Sequence, residues 1–230
     1  MPVASVTVGV DWTGKQAICA RQDSMEQQET RVYIVDDDQE LCASLAWLLD
    51  SVNITSEYYF SVQSFLEEYR RDIPACLVLD VRMPEVGGFQ LQETLLADES
   101  PIPIIFVSAH GDIKMSVRAL QRGALTFIEK PYDPQHMLDV IQDALRVARQ
   151  RFGERRNRTE LQGRIDALTV REREILALVL DGLPSKNIAK ELGISVKTVD
   201  VHRTRIKEKT GAESIAVLVR DILQAGLSVT

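Results

Sequence analysis

Short apolar runs recur along residues 31–148 and alternate with segments of helical periodicity. Apolar runs of this length, bounded by turn-forming residues, are typical of strands covered on both faces, and such strands belong to parallel sheets. The segments between the runs carry apolar stripes at helical spacing. The pattern predicts an α/β domain whose helices cover both faces of a parallel sheet. The predicted strands are residues 32–35, 54–60, 75–80, 104–108 and 125–129.

Residues suited to helix ends stand between these runs. Asp38 and Ser61 are predicted N-caps, because a short polar side chain accepts hydrogen bonds from the free N–H groups of a first helical turn. Gly123 suits the left-handed position that ends a helix, and Pro134 suits the first turn of the helix that follows the last strand.

The segment from residue 166 to 230 has the pattern of a small all-α domain of four helices. Thr169 and Glu172 form a predicted capping box, and Ser185 and Ser195 are predicted N-caps. Three residues then have the spacing of a helix-turn-helix, in which a small residue lets two helices cross, glycine makes the turn and an apolar residue anchors the second helix. They are Ala189, Gly193 and Val199.

Two segments flank these domains. Residues 1–30 have no sustained period and are predicted to form a disordered extension, with Met25 as an alternative start. Residues 149–165 are rich in arginine, and we interpret them as a solvated linker helix that extends the last helix of the first domain. Direct contact of these arginines with phosphates is the alternative.

Charge is distributed unevenly within the net charge of -7. Residues 31–148 hold 9 Lys and Arg against 19 Asp and Glu, whereas residues 149–230 hold 16 against 11. A basic second half indicates a polyanionic partner. The three cysteines are widely spaced and no segment is typical of a signal peptide or a membrane span, so we expect a cytoplasmic protein without disulfides.

Several polar residues end the predicted strands of the first domain: Asp36-Asp37, Asp80, Ser108 and Lys130. The carboxyl ends of parallel strands open on one edge, where such sheets bind ligands. Clustered carboxylates with room for water suit Mg²⁺, and a carboxylate beside a cation and a lysine suits phosphoryl transfer. Taken singly, the acids could instead begin a helix, Ser108 could be a turn residue and Lys130 a solvated charge.

These residues, with Met83-Pro84 after Asp80 and Pro131 after Lys130, resemble the receiver domain of two-component response regulators over residues 31–148. The resemblance implies a sheet of order 2-1-3-4-5 with Asp80 as the phosphoacceptor. It implies Mg²⁺ bound by Asp37, Asp80 and the backbone carbonyl of Arg82, with Asp36 assisting through water.

The same resemblance places Ser108 and Phe127 at switch positions and Lys130 at the phosphate-contacting position, before a cis Pro131. His110-Gly111-Asp112 and residues 127–131 are most similar to the FixJ branch. Lys114 departs from that branch, which commonly has a proline there. The departure affects a helix start and not the chemistry.

The second domain resembles the LuxR-type DNA-binding domain through its segments 168–174, 186–189 and 197–203. Base edges in the major groove are the expected targets of Asp200, Val201 and Thr204. Phosphates, which position a protein without specifying sequence, are the expected targets of a larger set. That set is Lys186, Lys197, Thr198, Arg203 and Lys207.

The combined prediction is a non-enzymatic transcription factor whose receiver catalyses at most its own phosphorylation and dephosphorylation. A histidine kinase would phosphorylate Asp80, and the chain would dimerise through Met115, Leu120 and Leu125. The dimer would bind a double-stranded DNA operator and act on RNA polymerase. The rivals are an aspartyl-phosphate hydrolase or phosphotransferase, and a regulator with an inert receiver or one gated by a small ligand.

Overall fold

The computed structural model describes residues 29–109 and 113–229. The predictions about the extension before residue 29 and about His110-Gly111-Asp112 lie outside these residues. Residue contacts divide the chain into two compact units, Met1–Arg149 and Gln150–Thr230. Within the described ranges, no helix combines the length and apolarity that a membrane crossing requires.

The first unit is the predicted α/β domain, and its fold class is confirmed. Its five strands are all parallel and follow the order β2-β1-β3-β4-β5. The elements are β1 Arg31–Val35, α1 Gln39–Asp50, β2 Ser56–Tyr59, α2 Val62–Glu68, β3 Ala75–Asp80, α3 Gly88–Ala97, β4 Ile104–Ser108, α4 Ile113–Gln121, β5 Thr126–Glu129 and α5 Pro134–Asp166.

Alternation along the central strands divides the core of this unit into two layers. Tyr33, Leu79 and Phe106 point to the side covered by α2, α3 and α4. Val78 and Ile105 point to the other side, covered by α1 and the first part of α5. Both faces of β3 are therefore buried along its whole length, which is why its sequence is an unbroken apolar run.

The predicted helix starts of this unit are confirmed where they rest on side-chain caps. Asp38 accepts hydrogen bonds from the N–H groups of Glu40 and Leu41, and Ser61 accepts one from the N–H of Ser64. Cys42 and Cys76 are buried free thiols, and burial raises the pKa of each to about 12. These two cysteines act as small core residues.

Helix α5, Pro134–Asp166, includes the arginine-rich residues 149–165. Glu160 pairs with Arg156 and lies within 4.0 Å of Arg164. Arg164 also donates a hydrogen bond to the carbonyl of Thr210. The rest of the second unit consists of α6 Val170–Leu180, α7 Ser185–Leu192, α8 Val196–Thr210 and α9 Ile215–Gln224.

The helix-turn-helix prediction agrees with the packing of α7 against α8. Ala189 and Val199 are buried in the core of the second unit. Gly193 ends α7 in the left-handed conformation, with φ of 65°, which an L side chain rarely adopts. The capping box of Thr169 and Glu172 and the N-cap of Ser195 are confirmed.

The predicted N-cap role of Ser185 is wrong. The N-cap of α7 is Pro184, which makes no side-chain capping bond, and Ser185 is the first residue within the helix. The Ser185 hydroxyl contacts α8 instead. A capping residue needs extended backbone before the helix, and here the proline occupies that position.

Glu172 is a buried acid that makes part of the stability of the second unit depend on pH. Its carboxylate receives the Lys209 ammonium at 2.7 Å and the N–H of Thr169 at 2.8 Å. Burial alone would raise its pKa, but these hydrogen bonds outweigh burial and lower the pKa of Glu172 from its ordinary value of 4.5. This stabilisation is present above pH 4.5 and is lost as pH falls through the lowered pKa.

We expect Glu172→Gln to lower the free energy of unfolding of the second unit by about 1 kcal/mol at pH 7, a figure reduced for the solvent around the exposed lysine. The difference from the unchanged protein should shrink as the pH falls below 4.5 and through the lowered pKa of Glu172. Urea unfolding followed by far-ultraviolet circular dichroism measures it. Glu174→Gln, the same change at an exposed position of α6, should leave the unfolding curve unchanged, and a pH-independent deficit in Glu172→Gln would contradict the prediction.

Candidate functional site

The carboxyl ends of β1, β3 and β5 bring two acids and one lysine together. Lys130 Nζ lies 2.6 Å from Asp36 Oδ2 and 2.8 Å from Asp80 Oδ1. These contacts join residues 94 and 50 positions apart in the chain. Asp36 and Asp80 are 1% and 5% exposed, so both carboxylates are withdrawn from water and depend on the ammonium for compensation.

The second oxygen of each carboxylate binds the loop that follows it. Asp36 Oδ1 accepts the N–H of Asp38 at 3.0 Å, and Asp80 Oδ2 accepts the N–H of Arg82 at 2.6 Å. Each carboxylate is therefore held in one orientation. The Asp80 carboxylate stands between a cationic side chain and a backbone donor.

The electrostatics of the site follow from this burial. Burial raises the pKa of Asp36, against the opposing effect of the Lys130 ammonium. Burial also works against the charge of Lys130, but its hydrogen bonds to Asp36 and Asp80 prevail and its pKa is raised. Lys130 is therefore a permanent cation at neutral pH, beside an oxygen of Asp80.

The remaining predicted receiver residues lie around this cluster. Ser108 is buried at the end of β4, and its carbonyl accepts the N–H of Lys130 at 2.9 Å. Phe127 is half-buried and packs against the core layer under α2, α3 and α4. Asp37 and Arg82 are exposed in the loops after β1 and β3. The Lys130-Pro131 peptide bond is cis, as the resemblance implied.

The donor atoms at this edge are carboxylate and carbonyl oxygens, which suit a hard cation such as Mg²⁺. Among the described residues, no three or more His, Cys, Asp or Glu side chains are grouped as a metal site. The predicted Mg²⁺ ligands are not such a group of side chains. They include the main-chain oxygen of Arg82, and Asp36 would contact the cation only through water. The chemistry of the donors fits Mg²⁺, with Lys130 already bound to the carboxylates that a cation would approach.

The predicted dimerisation residues differ in exposure. Leu120 is 48% exposed, whereas Met115 and Leu125 are half-buried and pack against the two core layers. The exposed apolar residues of α4 form one stripe at helical spacing. They are Ile113, Val117 and Leu120.

Gln92 connects α4 to α3, and sequence reasoning missed it. Its fully buried amide donates to the carbonyls of Ala119 and Arg122, both at 3.2 Å. The Ala119 carbonyl lies in the last turn of α4 and also accepts the N–H groups of Arg122 and Ala124, whereas Arg122 follows the last residue of α4. An isolated Gln within an apolar stripe was the only signal that the sequence offered.

The predicted DNA-reading residues lie on or beside α8 and fall into two groups. Lys186, Lys197 and Lys207 are exposed, as is Val201 at 43%. The other group makes hydrogen bonds within the unit. Thr198 bonds to Ser195, Asp200 and Arg203 both bond to Ser185, and Thr204 donates to the carbonyl of Asp200.

Comparison with known proteins agrees with both halves of this geometry. Residues 32–142 match the family described as response regulator receiver domain. Residues 166–221 match the family described as bacterial regulatory proteins, luxR family. Receiver domains generally bind Mg²⁺ for phosphorylation.

Relatives align with this chain over most of their own length. The response regulator TmoT of Ectopseudomonas mendocina is 39% identical over 196 residues, covering 85% of this chain and 89% of that one. The transcriptional regulatory protein FixJ of Bradyrhizobium diazoefficiens is 34% identical over 85% of this chain and 96% of its own length.

The solved structure of the response regulator StyR is also similar, with a TM-score of 0.72 and 41% identity. The match covers 85% of this chain and 99% of the StyR chain. The strand order, the acids and lysine at one edge of the sheet, the helix-turn-helix and these relatives lead to the same assignment. The chain belongs to the FixJ/LuxR type of two-component response regulators, transcriptional regulators that join a receiver domain to a LuxR-type DNA-binding domain.

Proposed function

We propose that a cognate sensor histidine kinase switches this regulator by transferring a phosphoryl group to Asp80. The observation that carries the proposal is the 2.8 Å contact between Asp80 Oδ1 and the Lys130 ammonium at the edge of the sheet. A carboxylate oxygen of Asp80 attacks phosphorus, the bond from phosphorus to the kinase histidine breaks, and an acyl phosphate forms. Lys130 then neutralises a phosphoryl oxygen in place of the carboxylate.

Mg²⁺ is the proposed cofactor of this transfer. Asp37, Asp80 and the carbonyl of Arg82 would hold it, and Asp36 would contact it through water. Bound there, the cation supplies positive charge that offsets the repulsion between the carboxylates and the incoming phosphoryl group. The chain contributes the fixed orientation of Asp80, which the Arg82 N–H and Lys130 maintain.

Ser108 and Phe127 are proposed to transmit the change. Ser108 would bond to a phosphoryl oxygen. Phe127, which is half-buried against the core layer covered by α2, α3 and α4, would move together with Ser108. The result would be a rearranged surface at α4 and β5, where Leu120 is exposed and Met115 and Leu125 lie less exposed. Dimerisation through this surface would pair two α8 helices on an operator of two half-sites.

On DNA, α8 is proposed to enter the major groove. Asp200, Val201 and Thr204 would read bases, with Asp200 accepting from a cytosine amino group and Val201 contacting a thymine methyl. Five further residues would contact DNA phosphates, which contribute affinity but no sequence specificity. They are Lys186, Lys197, Thr198, Arg203 and Lys207. The bound dimer would act on RNA polymerase, and its proposed location is the cytoplasm.

The operator affinity of the full-length chain tests this function. Treatment with Mg²⁺ and phosphoramidate should raise the affinity for DNA duplexes selected by the protein about tenfold, a typical coupling between two sites. Fluorescence anisotropy with labelled duplexes measures the change. An affinity that does not respond, in a protein shown to carry phosphate, would favour a regulator that binds DNA constitutively. Multiple turnovers on phosphomonoesters would favour the hydrolase or phosphotransferase alternative.

A further inference from the structure

The Ser185 hydroxyl lies between two charged side chains of α8. Ser185 Oγ is 3.0 Å from Asp200 Oδ1 and 3.0 Å from a terminal guanidinium nitrogen of Arg203. A guanidinium only donates and a carboxylate only accepts, so the direction of both bonds is determined. Arg203 donates to the Ser185 oxygen, and Ser185 donates its single proton to Asp200.

This arrangement joins the first turn of α7 to the exposed surface of α8. Both hydrogen bonds involve a charged partner, and both are 3.0 Å long. They fix the Asp200 carboxylate through Oδ1, while the other oxygen retains its capacity to accept hydrogen bonds. The network also couples the acid to the positive charge of Arg203 without a direct ion pair.

A carboxylate on a DNA-reading helix has a particular difficulty. DNA phosphates repel it, so an unrestrained Asp200 would rotate away from the duplex. Orientation by Ser185 opposes that rotation, and the adjacent Arg203 offsets part of the repulsion. A carboxylate held in this way can still accept a hydrogen bond from the amino group of cytosine.

We propose that Ser185 is a positioning residue that sets the base preference of the protein at the operator position read by Asp200. The inference rests on the proposed DNA-reading role of Asp200. Without the hydroxyl, Asp200 and Arg203, three residues apart on one helix, are free to pair directly. That pairing would withdraw the carboxylate from the bases.

Selection from a library of randomised DNA duplexes tests the inference with the full-length protein, with and without phosphoramidate. Sequencing of the bound duplexes gives the base preference at each position. Asp200→Ala should lose the preference for one base pair in each half-site. Ser185→Ala should reduce the preference at that same base pair by roughly fivefold, the lower end of what a base contact contributes.

Three comparisons separate positioning from a structural role. Ser185→Thr keeps the hydroxyl and should show the same base preference as the unchanged protein at the position read by Asp200. The preference at the remaining positions should be unchanged in Ser185→Ala, because only the carboxylate of Asp200 is withdrawn from a base. Adding Ser185→Ala to Asp200→Ala should have no further effect on base preference. Circular dichroism checks that each variant is folded.

Contrary results distinguish this inference from the proposed function. If Asp200→Ala loses the preference and Ser185→Ala keeps it, the positioning role is wrong and the DNA-reading role stands. The same holds if Ser185→Ala weakens binding to all sequences alike. If Asp200→Ala itself leaves every preference intact, the base-reading role of Asp200 is wrong and the inference falls with it. Absence of any sequence-selective binding would overturn the proposed function itself.

Discussion

Replacement of Asp80 by asparagine should abolish phosphorylation of this protein. Asparagine keeps the shape of the side chain, and its single amide oxygen can accept from either the Arg82 N–H or the Lys130 ammonium, so the variant should fold. Its amide oxygen is not an effective nucleophile, whereas the carboxylate is. We expect incorporation of phosphate from phosphoramidate in Mg²⁺ to fall from about one group per chain to background.

Intact-protein mass spectrometry measures this incorporation, and lability of the label to hydroxylamine identifies an acyl phosphate. Asp72→Asn is the matched control, since Asp72 is an exposed acid before the N-terminal end of β3 and pairs with Arg70. It should label like the unchanged protein, and removal of Mg²⁺ by a chelator should prevent labelling in both. Phosphate on the Asp80→Asn variant would show that another residue is the acceptor.

Gly88→Ala should destabilise the receiver unit by about 2–3 kcal/mol, although alanine is the better helix former. A Cβ at residue 88 would collide with the backbone carbonyl oxygen of Asp80 and would lie 3.1 Å from side-chain atoms of Leu79 and Phe106. The carbonyl belongs to the last residue of the central strand β3 and has little freedom to move. The same displacement should slow phosphorylation, because it moves the backbone that carries the acceptor.

Gly87→Ala offers a neighbouring control with the same chemical change. A Cβ at residue 87 would be 3.4 Å from the carbonyl oxygen of Val81, an ordinary contact, and its φ of -76° suits alanine. Its unfolding free energy should stay within about 1 kcal/mol of the unchanged protein. All five tyrosines precede residue 150, and Tyr33 is fully buried, so urea unfolding followed by near-ultraviolet circular dichroism reports on the first unit. Equal stabilities of the two variants would contradict the predicted collision.

Features that depend on a few neighbouring residues could be predicted from the sequence. The caps at Asp38, Ser61 and Ser195 were predicted correctly because a cap is satisfied within three residues of itself. The strand order came from the resemblance to a family. The strand-end position of Asp80 followed from its place after an apolar run.

The same local reasoning was wrong where a distant element competes for a side chain. Ser185 has the chemistry of a cap, but its hydroxyl bonds to Asp200 and Arg203, 15 and 18 residues away. Met115 and Leu125 remain dimerisation candidates, and their partial burial is a tertiary feature, because the core layers on each side of the sheet extend under them. The collision expected at Gly88 depends on the closeness of α3 to the end of β3, which no local pattern reveals.

By itself the sequence determined the kinds of element, their order and the polar residues at their ends, since periodicity and capping act over a few residues. Only the tertiary structure decided which of those polar residues meet. Lys130 reaches Asp36 across 94 positions of the chain because parallel strands gather their carboxyl ends at one edge. Burial of Asp36 and Asp80 beside that ammonium is a consequence of packing both faces of the sheet.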